Sequence, residues 1–198
     1  MINDLMSIKR NAENGDSVDQ FNLGVLYTYG DGGEVDYEEA IKWYKIAAEN
    51  NHVEAQYNLG ICYHYGFGSV VNHKEAFKWY EKASENGYSK GYTLVGVFYY
   101  NGFYVEKNYD KAVLFYKHGA KLSCPKAHFS LGICYFEGNG VIQDYSKAVD
   151  CFHIAAKEDY PYTYKHLGHC YENGVGVLID IVEAKKWYEL DKNWSSTK

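Results

Sequence analysis

A 36-residue period runs through the chain without a slip, and it limits the possible folds more than any other feature. Leu23-Gly24, Leu59-Gly60, Val95-Gly96, Leu131-Gly132 and Leu167-Gly168 recur at that spacing. Tyr27, Tyr63, Tyr99, Tyr135 and Tyr171 form a second column, and Gly30, Gly66, Gly102, Gly138 and Gly174 a third. Ala40, Ala76, Ala112, Ala148 and Ala184 follow in phase. Then come Trp43, Trp79, Phe115, Cys151 and Trp187, and beside them Tyr44, Tyr80, Tyr116, Phe152 and Tyr188. A fixed period of this length marks stacked units, none of which can bury its apolar face alone. The repeats are 17–52, 53–88, 89–124, 125–160 and 161–196. Residues 2–14 keep the phase of the second half of a repeat, with Ala12 aligned to Ala48. We read 1–15 as an N-terminal capping helix that shields the first repeat.

Each period reads as two helices. In the second repeat, Ala55, Leu59 and Cys62-Tyr63 share one face of a helix over about 53–65. Ala76, Trp79-Tyr80 and Ala83 form the stripe of another over about 73–86. Gly60 falls in the middle of the first helix, where it costs about 1 kcal/mol against alanine. Five such positions make sense only if another helix must come close there. Gly66 and its equivalents follow the first helix, where a left-handed cap favours glycine. Asp36, Asn72, Asn108, Asp144 and Asp180 precede the second helix as N-caps. Glu39, Glu75 and Glu183 stand three residues on and predict capping boxes. Pro125 and Pro161, also one period apart, fall in the first turn of a first helix, which tolerates proline. The last helix is expected to end near 193, leaving 194–198 as a tail. Trp187, Tyr188 and Trp194 are expected to form an exposed aromatic patch, since no repeat follows.

Composition narrows the function. Hydrophobic residues make up 46% and charged residues 23%, as in folded rather than disordered chains. Two prolines among 198 residues exclude a collagen-like use of the 19 glycines. The net charge is −6 with no basic run, which argues against nucleic acid as the partner. No apolar run reaches 18 residues, so no membrane insertion is expected. The start of the chain lacks the apolar core of a cleavable signal peptide. The five Cys are odd in number and contain no Cys-x-x-Cys pair, so they read as thiols in a reducing, cytoplasmic setting.

Taken together, Ala55, Leu59, Gly60, Tyr63, Gly66, Gly68, Ala76, Trp79, Tyr80 and Ala83 resemble the Sel-one-like repeat (SLR) family, a relative of the tetratricopeptide repeat. The resemblance covers about residues 16–193. Tyr104 departs from it at the second loop glycine, and Cys151-Phe152 replaces Trp-Tyr. The resemblance implies an all-α fold: a right-handed α-α superhelix, or solenoid, of five helix-turn-helix repeats. First helices would line the concave face. It also implies a non-enzymatic scaffold or adaptor that binds a protein or peptide segment.

By analogy with tetratricopeptides, the inward positions of the first helices carry specificity. The contact candidates are Phe21 and Asn22; Tyr57, Asn58 and His64; Lys90 and Tyr100; Lys126, Phe129 and Phe136; and Tyr162, Lys165 and His169. The same face would carry Val18, Val25, Thr28, Glu54, Ile61, Thr93, Leu94, Val97, Ser130, Ile133, His166 and Glu172. Lys90, Lys126 and Lys165 on this face suit a partner with acidic groups. Two alternatives remain open: an immunity protein that neutralises a toxin or effector enzyme, and a structural module that self-associates through its last helix. The protein would then be a monomer or a weak homodimer.

Motifs for chemistry are sparse. His166 and His169 are three apart beside Cys170, but Cys170 shares a packing column with Leu26, Cys62, Phe98 and Cys134. Two histidines without a third ligand do not make a zinc site. The Gly-x-Gly loops follow helices and lack the Lys-Ser/Thr of a phosphate cradle. No catalytic residue, metal or cofactor is called for.

Overall fold

The computed structural model describes residues 2–31 and 33–196. Among the described residues it contains eleven α-helices, one 3-10 turn and no strand. They are α1 (Ile2–Glu13), α2 (Ser17–Tyr29), α3 (Tyr37–Glu49), α4 (Val53–Tyr65), α5 (His73–Glu85) and α6 (Ser89–Asn101). There follow α7 (Tyr109–Lys121), α8 (Pro125–Glu137), α9 (Tyr145–Lys157), α10 (Tyr164–Asn173) and α11 (Ile181–Ser195). The 3-10 turn, Pro161–Thr163, precedes α10. The helices fall into two compact units, Met1–Gly91 and Tyr92–Lys198. Within the first, each of α1 to α4 packs on the next helix in order. Within the second, α7 to α10 do the same. The fold class is the all-helical solenoid that the repeat pattern predicts.

Local chemistry sets the helix ends. Gly66 ends α4 in the left-handed conformation, φ 79°, and its N–H returns to the Cys62 carbonyl. Gly30, Gly138 and Gly174 end their helices the same way. All five Asp or Asn caps accept the N–H of the third residue on, at 2.9–3.1 Å. The capping boxes are only half formed. The N–H groups of Asp36, Asn72 and Asp180 donate to Tyr27, Tyr63 and Tyr171 carbonyls at 2.9, 2.8 and 2.9 Å. With that donor already used in closing the loop, the glutamates turn outward. Glu39 pairs with Lys42, Glu75 with Lys78 and Glu183 with Lys186.

The mid-helix glycines answer to an aromatic ring. A Cβ on Gly60 would lie 2.5 Å from Tyr80 Cε1, and one on Gly132 would lie 2.6 Å from Phe152 Cε1. Gly24, Gly96 and Gly168 face Tyr44, Tyr116 and Tyr188 in the same way. Each repeat thus seats the large ring of its second helix in the notch left by the glycine of its first. Tyr80 and Phe152 are fully buried there.

Buried polar ties join neighbouring repeats in the first unit, and the sequence did not reveal them. Gln56, wholly buried on α4, donates to the Ala48 carbonyl and accepts from Asn86, at 3.2 and 3.0 Å. Gln20 does the same one period earlier with Ala12 and Asn50. Because Ala12 lies on α1, that helix meets α2 through the contact that α3 makes with α4.

The C-terminus departs from expectation. The helix α11 runs to Ser195, and Trp194 packs edge-on against Tyr162, ring centroids 5.0 Å apart. Residues 197–198 lie outside the described residues. Trp187 lies against His153 and Tyr164, and Tyr188 donates to Glu172 at 2.9 Å. All three rings are half-buried, so the expected exposed aromatic patch is absent from the described part of α11. The rings find partners within their own repeat and the one before.

Candidate functional site

The predicted contact residues divide into packing residues and open ones. Phe21 stacks on His52 at 4.6 Å, Tyr57 meets Tyr88 edge-on at 5.5 Å, and Phe129 meets Tyr160 at 5.4 Å. In the third repeat the same pair is Thr93, whose hydroxyl donates to Cys124 Sγ at 3.3 Å. In these four repeats the column therefore packs against the last residue of its own repeat, in the turn that leads to the next. The pair is small in the third repeat and aromatic in the first, second and fourth, which explains Cys124. Thr93 and Leu94 are buried, a correction to their expected place on an open face. Asn22 is held by Asp19 at 3.2 Å.

A second column decides how open the first-helix face is. His64 stacks on His73 at 5.1 Å. Tyr100 meets Tyr109 at 5.0 Å and Phe136 meets Tyr145 at 5.2 Å. The Tyr100 hydroxyl also donates to Glu137 at 2.6 Å and accepts from Asn139 at 3.0 Å. Tyr100 and Phe136, both predicted contacts, are thus engaged within the chain. The first repeat has Thr28 in this column, with Tyr37 nine residues on. Its hydroxyl donates to the Gly24 carbonyl and accepts from Tyr44, both at 2.9 Å. A threonine cannot span the space that a ring fills elsewhere. An open cavity of about 260 Å³ remains, lined by Thr28, Tyr29, Tyr37, Tyr44, Asn58, Ile61, Cys62 and Phe67. Tyr37 and Phe67 stack at 5.2 Å on its rim, and Tyr29 is 70% exposed. No charged side chain lines it. Burial pushes the Tyr44 hydroxyl up to about 12 and the Cys62 thiol up to about 11, so both stay neutral.

A family model described as the Sel1 repeat matches residues 17–52, 53–88, 89–124, 125–160 and 163–190. The chain belongs to the Sel1 repeat family. Sel1 repeat proteins are protein-interaction scaffolds and are typically non-catalytic. No curated protein matches the sequence. Among solved structures, a Sel1 repeat protein from Oxalobacter formigenes is 33% identical, with TM-score 0.90, over 94% of this chain and 75% of that one. The c5321 protective antigen of uropathogenic Escherichia coli, which displays an SLR fold, is 30% identical with TM-score 0.85. That match covers 96% of this chain, which spans only 40% of the antigen's length. The immunity protein Pa5087 of Pseudomonas aeruginosa shares the fold, at 19% identity and TM-score 0.65. Its match covers 96% of this chain and 72% of that one.

The remaining Sel1 positions carry charge and thiols. Lys90 and Lys165 are exposed, with Lys90 Nζ 5.9 Å from the Tyr57 ring. Lys126 is half-buried, and burial draws its pKa below the usual lysine value. Tyr162 is exposed beside Tyr160 and Trp194. His166 stacks on Phe152 at 5.2 Å, and burial holds its pKa below the ordinary histidine value. His169 instead meets Asn173 at 3.1 Å, so the two imidazoles have separate partners. Among the described residues no three His, Cys, Asp or Glu side chains are grouped to hold a metal. Cys62, Cys134 and Cys170 are buried in one packing column, as their spacing predicts. Cys151 is buried at the ring position that Trp79 fills in the second repeat, and burial pushes its thiol up to about 11. Burial does the same to Cys134, up to about 12, and to Cys170, up to about 11. Ellman's reagent at pH 8 should therefore label the native protein only over hours and the denatured protein at once. Rapid native labelling of several thiols would contradict this burial.

Proposed function

We propose that this Sel1 repeat chain is a non-enzymatic adaptor that binds a peptide or protein segment with acidic groups along its first-helix face. One observation carries the reading. The second-helix rings are seated in glycine notches, whereas the first helices keep an exposed Lys90 in the first unit, an exposed Lys165 in the second and, in the first repeat, an aromatic-rimmed cavity. Exposed cations on an acidic chain attract an acidic segment and orient it. The buried thiols suit a reducing, cytoplasmic setting.

Lys126→Glu with Phe129→Ala would be a poor test. Phe129 packs on Phe152, Tyr160 and His166, and Lys126 is half-buried, so the pair would lower stability as well. Lys90→Glu with Lys165→Glu alters two exposed side chains instead. Affinity capture with mass spectrometry should lose the partner in this variant while the melting temperature stays put. Capture at the wild-type level would overturn the reading.

A further inference from the structure

We propose that the cavity of the first repeat is a socket for one uncharged aromatic side chain, preferably phenylalanine or tryptophan, supplied by the bound segment. This rests on the adaptor reading above and adds the identity of the anchoring group.

The occupant is read from the other repeats. The column of Thr28 holds a ring in the next three repeats, and each ring lies against the residue nine positions on: His64 on His73, Tyr100 on Tyr109, Phe136 on Tyr145. Phe136 also approaches His169, at 6.4 Å, which stands in the column of Ile61. The first repeat keeps both walls of this seat, Tyr37 and Ile61, and leaves out the ring. The chain thus seats a ring against the column of Tyr37 three times, once with the column of Ile61 as well, and the first repeat takes it from outside. The size agrees: about 260 Å³ is below the ~300–1,000 Å³ that encloses a whole small-molecule ligand.

The lining also selects among rings. Tyr100 anchors its hydroxyl on Glu137 and Asn139. The matching positions beside the cavity are Tyr65 and Phe67, so a tyrosine hydroxyl finds no carboxylate there. A charged group would lose hydration without gaining a counter-ion. Ring-on-ring contact with Tyr37 and Phe67 favours a flat apolar group over an aliphatic one.

The test needs no partner. The protein is titrated with N-acetyl-phenylalaninamide, N-acetyl-tryptophanamide, N-acetyl-leucinamide and tetramethylammonium, following the Ile61 and Thr28 methyl signals by NMR. The two aromatic amides should give saturable shifts in the millimolar range, at least several-fold tighter than leucinamide or tetramethylammonium. Thr28→Phe, which supplies the missing ring from within, should abolish them. Should that variant fold poorly, Phe67→Ala removes an exposed rim ring and should weaken the aromatic amides several-fold. No saturable binding, equal binding of leucinamide, preference for the cation, or aromatic binding that survives both substitutions would each overturn the socket. Loss of capture in Lys90→Glu with Lys165→Glu alongside absent amide binding leaves the adaptor reading standing and removes the socket. Intact capture with Thr28-dependent amide binding does the reverse.

Discussion

Phe152→Ala should lower the unfolding free energy by about 3–5 kcal/mol, read as a drop in the guanidinium midpoint. The ring is wholly buried, stacked with His166 and packed with Phe129, Val149, Leu167 and Cys170. Removing it leaves a hole beside Gly132, whose backbone is held by two helices that cannot simply close in. The double variant gives the sharper result. Gly132→Ala alone pushes a Cβ to 2.6 Å from the ring, an overpacking that costs about 1–3 kcal/mol. In the Phe152→Ala background that methyl enters vacated space, and the intrinsic helix preference for alanine is worth up to about 1 kcal/mol. The same substitution should therefore change from destabilising to neutral or stabilising. Additive effects of the two changes would mean that ring and glycine do not share one space.

Gly68→Ala should destabilise by about 2–4 kcal/mol, although the residue is on a loop. Its φ of 68° is left-handed, which a side chain opposes. The larger obstacle is tertiary: an added Cβ would overlap the carbonyl of Tyr37, at the start of α3. A backbone carbonyl cannot turn aside as the end of a side chain can. The first and second repeats would have to separate. Hydrogen exchange should show the amides of α2 and α3 losing protection while those of α8 to α10 keep theirs, because repeat arrays couple through nearest neighbours. Protection unchanged throughout would show that the joint tolerates the methyl.

Much of the fold was legible because the repeat supplied independent signals in one register. Period, caps and breakers placed α4 and α5 within a residue of their observed ends. The mid-helix glycines announced a close approach, though not its object, since spacing cannot show whether a backbone or a ring comes near. The capping boxes predicted at Glu39, Glu75 and Glu183 form only by half. Pattern alone does not reveal that the Asp36 N–H is already bonded to Tyr27 in closing the loop.

The contact face was less legible, because inward-pointing and exposed are different properties. Phe21, Tyr57 and Phe129 are expected on an open face but are engaged by His52, Tyr88 and Tyr160, the last residue of each one's own repeat. The missed signal was a departure within a column rather than the column itself. Thr28 stands where His64, Tyr100 and Phe136 stand, and that small residue opens the cavity.

The sequence by itself determined the repeat, the helix pairs, their caps and the Sel1 membership. These follow from backbone preferences and apolar spacing, which act over one period and are written locally. Only the tertiary structure decided which first-helix side chains are spent on packing, that Gln20 and Gln56 tie repeats together, and that one seat lacks its ring. Those outcomes depend on the volumes that residues from different repeats leave between them, a quantity that no single segment of the chain contains.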